Sequence, residues 1–201
     1  TEIYTLSLHD ALPICDWKKK RFGVPWQGGE NLSIAIGQGF NLVTPLQMAS
    51  LAAAVGNGGT RYSPYVIEKI QTADGVVTFQ NSPREDGKIK LHAENLALVR
   101  QALWQVVNDP KGTAWQSRIQ GLPFSGKTGT AQVVSMPKAS DGSSGEIDAL
   151  PKDHAWFVAY APSENPKIAI SVIIEHGEHG SSAAAPVASA LIQAYLGDNQ
   201  P

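Results

Sequence analysis

The sequence predicts an α+β fold in which an antiparallel sheet is flanked by helices. Three extended runs rich in β-branched residues occur late in the chain, at residues 124–134, His154–Tyr160 and Lys167–Glu175. Helical patterns lie on both sides of them, a layer arrangement typical of α+β domains. With 201 residues, of which 42% are hydrophobic, the chain can form one domain with a substantial core.

Charge and hydropathy exclude several classes of function. The net charge is −2 and the longest basic cluster is Lys18–Arg21, so we expect no nucleic-acid partner. The longest apolar stretches, near Ser50–Val55 and Ile168–Ile174, are far shorter than the ~20 residues of a membrane span. No signal peptide is visible at the first residue. The single cysteine, Cys15, permits no internal disulfide.

The first residues do not match the rest of the chain. Residues 1–15 have no helix cap and no clean hydrophobic period, and they resemble a translated sequencing-adapter read. We therefore expect a non-native or disordered leader that plays no part in the fold. The following segment, Asp16–Gly29, is polar and aromatic with interspersed prolines and glycines, and it is predicted to be a loop.

A helix is predicted to begin at Pro45. Thr44 is a good N-cap, proline suits the first helical position, and Gln47 is placed for a capping box. The helix should end at the glycine-rich segment 56–59. Because it is apolar on most faces, we expect it to be buried.

The middle of the chain predicts a hairpin and a second helix. Tyr65–Gln71 and Val76–Phe79 are extended runs joined by Ala-Asp-Gly, a hairpin signal. Glu94–Val107 has the apolar spacing of an amphipathic helix and is followed by Asp-Pro. Further on, Ser135–Lys152 reads as a long mobile loop that flanks a site, and a last helix is predicted at about Ala183–Leu196.

The run Ser125-Gly126-Lys127-Thr128-Gly129-Thr130-Ala131 is the centre of the predicted sheet. Its threonines and the valines that follow favour an extended strand. Glycine weakens a strand interior, and it usually marks a place where a ligand or another backbone comes close. Strand propensity, one cation and two glycines together predict a sheet edge that receives a ligand.

Several short motifs follow one another along the chain. They are Gly37-Gln38-Gly39, Thr44-Pro45-Leu46-Gln47-Met48, Asn57-Gly58-Gly59, Pro64-Tyr65, Gly112-Thr113-Ala114, Lys127-Thr128-Gly129-Thr130-Ala131-Gln132-Val133, His154-Ala155-Trp156-Phe157 and Ala159-Tyr160-Ala161-Pro162. Taken in order, they make the chain resemble the class B penicillin-binding proteins, and most closely their elongation type. The resemblance covers essentially Asp16–Gly197, and Lys-Thr-Gly is a signature that the family shares with class A β-lactamases.

The resemblance implies that residues 16–201 are the C-terminal portion of a penicillin-binding, serine β-lactamase-like transpeptidase domain. Such an enzyme cross-links D-Ala-D-Ala stem peptides of peptidoglycan through a serine acyl-enzyme, without cofactor or metal. Its implied partners are the stem peptide, β-lactams and the membrane glycosyltransferase of the elongation complex. The implied location is the periplasmic face of the bacterial inner membrane, with the anchor outside this chain.

The strand carries the candidate catalytic and substrate-binding residues. Lys127 is a point cation suited to a substrate carboxylate, and the hydroxyls of Thr128 and Thr130 can donate to the same group. Gly129 has no side chain, so a substrate backbone can lie against the edge. The resemblance further implies that the N–H of Thr130 is one donor of the oxyanion hole.

The family's nucleophilic serine, in Ser-x-x-Lys, lies upstream of Lys-Thr-Gly, and no such pattern precedes it here. Ser135-Met136-Pro137-Lys138 and Ser163-Glu164-Asn165 both follow it, and we interpret both as coincidences. We therefore expect a part of the domain without its nucleophile, inactive alone. The alternatives are a penicillin-binding sensor or catalytically silent module on the same fold, or a structural interaction domain with a blocked edge at Gly129.

Other candidate side chains are interpreted as structural. Glu175–His179 crowds metal-ligand types together, but at the end of a strand it favours a solvated loop over a zinc site. His154 is interpreted as a structural histidine rather than a base. Trp104, Trp115 and Trp156 are expected in the core.

Overall fold

The computed structural model describes residues 15–37, 39–40, 42–132 and 152–197. The chain divides into two compact units, Thr1–Gln47 and Met48–Pro201, which are treated separately below. The expected leader, apart from Cys15, lies outside the described residues. The same is true of the Ser135–Lys138 pattern and of nearly all of the predicted loop 135–152.

The first unit contains two short helices, α1 (Cys15–Phe22) and α2 (Gly28–Ala35). The prediction of a loop over 16–29 was therefore wrong for α1. The first turn of α1 is acidic and its last turn is basic, a distribution that the helix dipole favours. This signal was missed because the segment is mostly polar. The buried ammonium of Lys18 donates to Glu30 at 2.5 Å. The N–H of Gln27 and then Lys18 hold the pKa of Glu30 below its usual value.

Helix α3 (Pro45–Gly56) begins and ends where the sequence predicts. The capping box is formed: the N–H of Thr44 donates to the Gln47 side chain at 2.8 Å, and the Gln47 N–H donates to the Thr44 hydroxyl at 3.2 Å. The expected burial is wrong for most of the helix, because Leu46 and Leu51 are at least half exposed. Its buried residues are Ala52, Ala54 and Gly56.

Two small antiparallel ribbons follow α3. One is the predicted hairpin, with a first strand shorter than expected, and the other pairs strands far apart in sequence, which local patterns did not reveal. The strands are β1 (Thr60–Tyr62), β2 (Lys69–Gln71), β3 (Val77–Gln80) and β4 (Glu85–Lys88), paired β1 with β4 and β2 with β3.

The main sheet has three antiparallel strands in the order β5-β6-β7, as the α+β prediction required. Helix α4 (Ala93–Asn108), predicted at nearly these bounds, precedes the sheet, and α5 follows it after a five-residue π-helix, Gly180–Ala184. The remaining elements are β5 (Ser125–Ala131), β6 (His154–Ala161), β7 (Ile168–Ile174) and α5 (Ala185–Gly197).

The core of the second unit lies between this sheet and helices α4 and α5. Val107, Phe124, Phe157 and Ile192 have fully buried side chains there. The expectation that three tryptophans are in the core is wrong: Trp104 is 41% exposed, and Trp115 and Trp156 are only partly buried. Among the described residues, no helix is long and apolar enough to cross a membrane.

Candidate active site

Among the described strands, β5 is paired along one edge only. It pairs with β6 along its whole length, from Ser125 opposite Tyr160 to Ala131 opposite His154, and with no other described strand. Its first half is fixed by the core, because a Cβ on Gly126 would come within 2.6 Å of the Phe157 ring. The start of the strand is thus packed in the core, and Lys-Thr-Gly-Thr follows in its exposed to half-buried part.

Lys127 lies on the exposed part of β5. Its ammonium donates to the carbonyl of Thr128 at 2.7 Å and lies 3.5 Å from the hydroxyl of the same residue. Within the described ranges, no ion pair joins Lys127 to a carboxylate. A lysine ammonium has three donors, so with both Thr128 contacts made this one retains one donor for an incoming anion.

The hydroxyl of Thr128 has a partner from a distant loop, since it lies 3.1 Å from the hydroxyl of Thr113. Thr113 is held there because the chain turns back on the end of α4. A Cβ on Gly112 would come within 2.3 Å of the Val106 carbonyl, and the N–H of Ala114 donates to that carbonyl at 2.9 Å. A glycine at 112 is therefore required to bring Thr113 against β5.

Thr130 is exposed, and its hydroxyl donates to the carbonyl of Glu178 at a long 3.3 Å. Glu178 lies in the loop after β7, where His176 and Glu178 have left-handed φ angles of 58° and 60°. Such angles are uncommon without glycine. The loop is tied to the start of β6, because the Glu178 N–H donates to the Asp153 carbonyl at 2.9 Å.

Gly129 is packed against backbone on one face of the sheet. A Cβ on Gly180, at the start of the π-helix, would lie 2.7 Å from the Gly129 carbonyl and 2.2 Å from that of Trp156. A Cβ on Gly129 itself would lie 3.2 Å from the Trp156 Cβ. The contacts found at Gly129 therefore come from the start of the π-helix and from the neighbouring strand β6. None of them comes from a side chain that covers the unpaired edge of β5.

The other candidates have structural partners. Nδ1 of His154 accepts the N–H of His176 at 3.0 Å, so the proton of its neutral ring is on Nε2. Ser163, of the Ser-Glu-Asn pattern, is buried and its hydroxyl accepts that of Ser125 at 2.9 Å. Among the described residues, no three His, Cys, Asp or Glu side chains are grouped as metal ligands would be.

The arrangement can bind an anion at a sheet edge. One ammonium and three hydroxyls, those of Thr113, Thr128 and Thr130, lie along β5. Sequence reasoning assigned no role to Thr113, although it quoted the Gly-Thr-Ala motif that contains it. That motif was the one signal that could have identified this hydroxyl.

Comparisons with known proteins agree with this geometry. The model of the penicillin-binding protein transpeptidase domain family matches residues 15–193. A peptidoglycan D,D-transpeptidase MrdA from Haemophilus influenzae is 34% identical over 196 residues, covering 94% of this chain and 29% of that protein. Among solved structures, Pseudomonas aeruginosa PBP2 is similar with a TM-score of 0.70 and 33% identity, covering 92% of this chain and 36% of the other.

A complex of PBP2 with MreC from Helicobacter pylori contains a chain that is similar with a TM-score of 0.67 and 30% identity, covering 92% of this chain. This chain covers 31% of that one. The chain thus spans about a third of the length of the relatives it matches.

Proposed function

The chain belongs to the penicillin-binding protein transpeptidase domain family, and on that premise we propose that it is part of a peptidoglycan D,D-transpeptidase. The observation that carries the proposal is Lys127: an exposed cation on an open strand edge, with hydroxyls beside it and no carboxylate partner within the described ranges. The substrate is the D-Ala-D-Ala end of a stem peptide, and β-lactams compete for the same site.

In the proposed reaction, Lys127 and the hydroxyls of Thr128 and Thr130 bind the terminal carboxylate of the peptide. The Thr130 hydroxyl must turn from the Glu178 carbonyl to do so, which costs only the long 3.3 Å bond. Gly129 leaves room for the peptide backbone along the edge. A serine elsewhere in the full-length protein attacks the carbonyl and forms the acyl-enzyme.

The N–H of Thr130 is proposed to stabilise the oxyanion of the tetrahedral intermediate. One observation and one general property of antiparallel strands support this assignment. The Thr128 carbonyl accepts the Lys127 ammonium, which favours an outward direction for that carbonyl. In an antiparallel strand, backbone groups two residues apart point to the same side, so the Thr130 N–H would also point outward.

The cellular setting follows from the same resemblance. We place the chain at the periplasmic face of the inner membrane of a bacterium, in contact with the glycosyltransferase of the elongation complex. The Helicobacter pylori relative was solved in complex with MreC, so a protein partner of that kind is included in the proposal.

The test measures the rate at which a fluorescent penicillin acylates the full-length protein. Lys127→Ala should slow acylation at least about tenfold, because a hydrogen-bonded charge is lost from the carboxylate site. Lys90→Ala, which removes an exposed lysine away from β5, is the matched control and should keep the parental rate. A parental rate for Lys127→Ala would contradict the proposal. Acylation by penicillin without turnover of a D-Ala-D-Ala peptide would favour the sensor.

A further inference from the structure

A second polar site lies beside β5 and adjoins the candidate active site at Thr113. A cleft of about 560 Å³ opens between the turn at 115–118 and helix α5. Ser117 and Arg118 line it from the turn, Ser181 from the π-helix, and Ser189 and Gln193 from one face of α5. Thr113 also lines the cleft, and its hydroxyl contacts that of Thr128. The cleft therefore extends to strand β5.

Arg118 is oriented before any ligand arrives. Its guanidinium lies 3.7 Å from the centre of the Trp115 ring, and its Nη1 donates to the Trp115 carbonyl at 2.9 Å. Stacking and one hydrogen bond fix the plane of the group, and they leave its other N–H donors free. Within the described residues, no acidic side chain lines the cleft or pairs with Arg118.

A serine hydroxyl beside the arginine is also available to a ligand. Ser117 is only 6% exposed as a residue, and it lines the cleft. Its N–H donates to the Ala114 carbonyl, but its hydroxyl has no hydrogen-bond partner among the residues the structure describes. The hydroxyl oxygen itself remains accessible, so it can donate to an acceptor placed in the cleft.

From these contacts we infer that the cleft is a carboxylate-binding subsite for a peptide-like ligand. The Arg118 fork binds the carboxylate, the Ser117 hydroxyl donates to it, and the amide of Gln193 and the hydroxyls of Ser181 and Ser189 bind neutral polar groups beside it. The inference does not depend on the role of Lys127, which does not line the cleft.

The test is an NMR titration of the isotope-labelled chain with two matched peptides, N-acetyl-Gly-Glu-amide and N-acetyl-Gly-Gln-amide. They differ in one carboxylate, which is the only charge of the first. The glutamate peptide should bind about fivefold more tightly, as for an exposed ion pair, and should shift the amide signals of Ser117 and Arg118. Arg118→Gln should remove this preference. The matched control Arg84→Gln, which alters an exposed arginine on the Ser63 hydroxyl, should keep it.

Two further variants separate this inference from the proposed function. Ser117→Ala, which removes a hydroxyl and no charge, should weaken the glutamate peptide about threefold and leave the glutamine peptide unchanged. Lys127→Gln should leave the preference intact. Loss of the preference in Lys127→Gln but not in Arg118→Gln would place the carboxylate at β5, overturning this inference while supporting the proposed function. Equal binding of the two peptides, or no binding, would also overturn it.

Discussion

The two kinds of donor on Thr130 can be separated by mutation. Proline removes the backbone N–H, and an edge strand tolerates it where that group faces outward. In the full-length protein, Thr130→Pro should therefore fold but acylate about 10²–10³-fold more slowly, the usual effect of losing one oxyanion donor. Thr130→Ser retains both the N–H and the hydroxyl and should stay near the parental rate. Stopped-flow acylation, with circular dichroism as the check on folding, measures both.

An unchanged rate in a folded Thr130→Pro protein would exclude Thr130 as an oxyanion donor. A slow Thr130→Ser protein would instead assign the effect to the methyl group of the side chain, since only that group is lost. The weak bond from the Thr130 hydroxyl to Glu178 is kept by serine. Proline removes the hydroxyl as well as the N–H, so Thr130→Val, which removes only the hydroxyl, is the control that separates the two contributions.

Which site residues could be predicted depends on how far apart they lie in sequence. Lys127, Thr128, Gly129 and Thr130 are contiguous, so one motif predicted them as a group, although their roles still await experiment. The partners of these residues are remote: Thr113 is 15 positions from Thr128, and Glu178 is 48 positions from Thr130. Such contacts depend on tertiary packing, which a local pattern does not encode.

At the scale of elements, local chemistry decided which predictions were confirmed. Helix α3 was predicted because its N-terminal capping box and its C-terminal glycines are both formed by residues close to its ends. The ribbon of β1 and β4 was missed because its strands have only three and four residues and pair with an irregular register. No tight turn joins them, since β2 and β3 lie between them in the chain. Helix α1 was missed because its residues are mostly polar and its apolar period is weak.

The packing of the π-helix against the sheet gives a prediction at this scale. Gly180→Ala places a Cβ within 2.2 Å of the Trp156 carbonyl and 2.7 Å of that of Gly129, and backbone cannot move aside as a side chain can. We expect a loss of about 3 kcal/mol or more in the free energy of unfolding, at the upper end of overpacking effects. Urea denaturation of the chain measures it.

The matched control is Gly197→Ala, at the end of α5, where an added Cβ meets nothing within 4 Å. It should change the free energy of unfolding by no more than about 1 kcal/mol, in the stabilising direction. Equal stabilities for the two variants would mean that the π-helix does not hold Gly129 in place. In the full-length protein, Gly180→Ala should also slow acylation, because the β5 backbone would shift.

At the scale of the whole molecule, large apolar side chains remain exposed in the ribbons and helices of the second unit. Val66 is fully exposed, and Ile70, Val77 and Phe79 are each close to half exposed on the β2–β3 ribbon. Soluble proteins usually cover apolar patches of this kind with other protein. This exposure agrees with a chain that spans about a third of the length of its relatives. The sequence of the ribbon's strands and turn did not predict that these side chains would be exposed.

The last prediction concerns this chain on its own: it should form no stable acyl adduct with a β-lactam. A serine nucleophile needs a base within hydrogen-bond reach. Only Ser135 in the sequence is followed by lysine at the third position, within a segment rich in serine and glycine. The buried hydroxyls of Ser125 and Ser163 bond each other. Incubation with a fluorescent penicillin, followed by intact-mass measurement, should show unmodified protein, whereas a stoichiometric adduct on any serine would mean that the chain carries its own nucleophile.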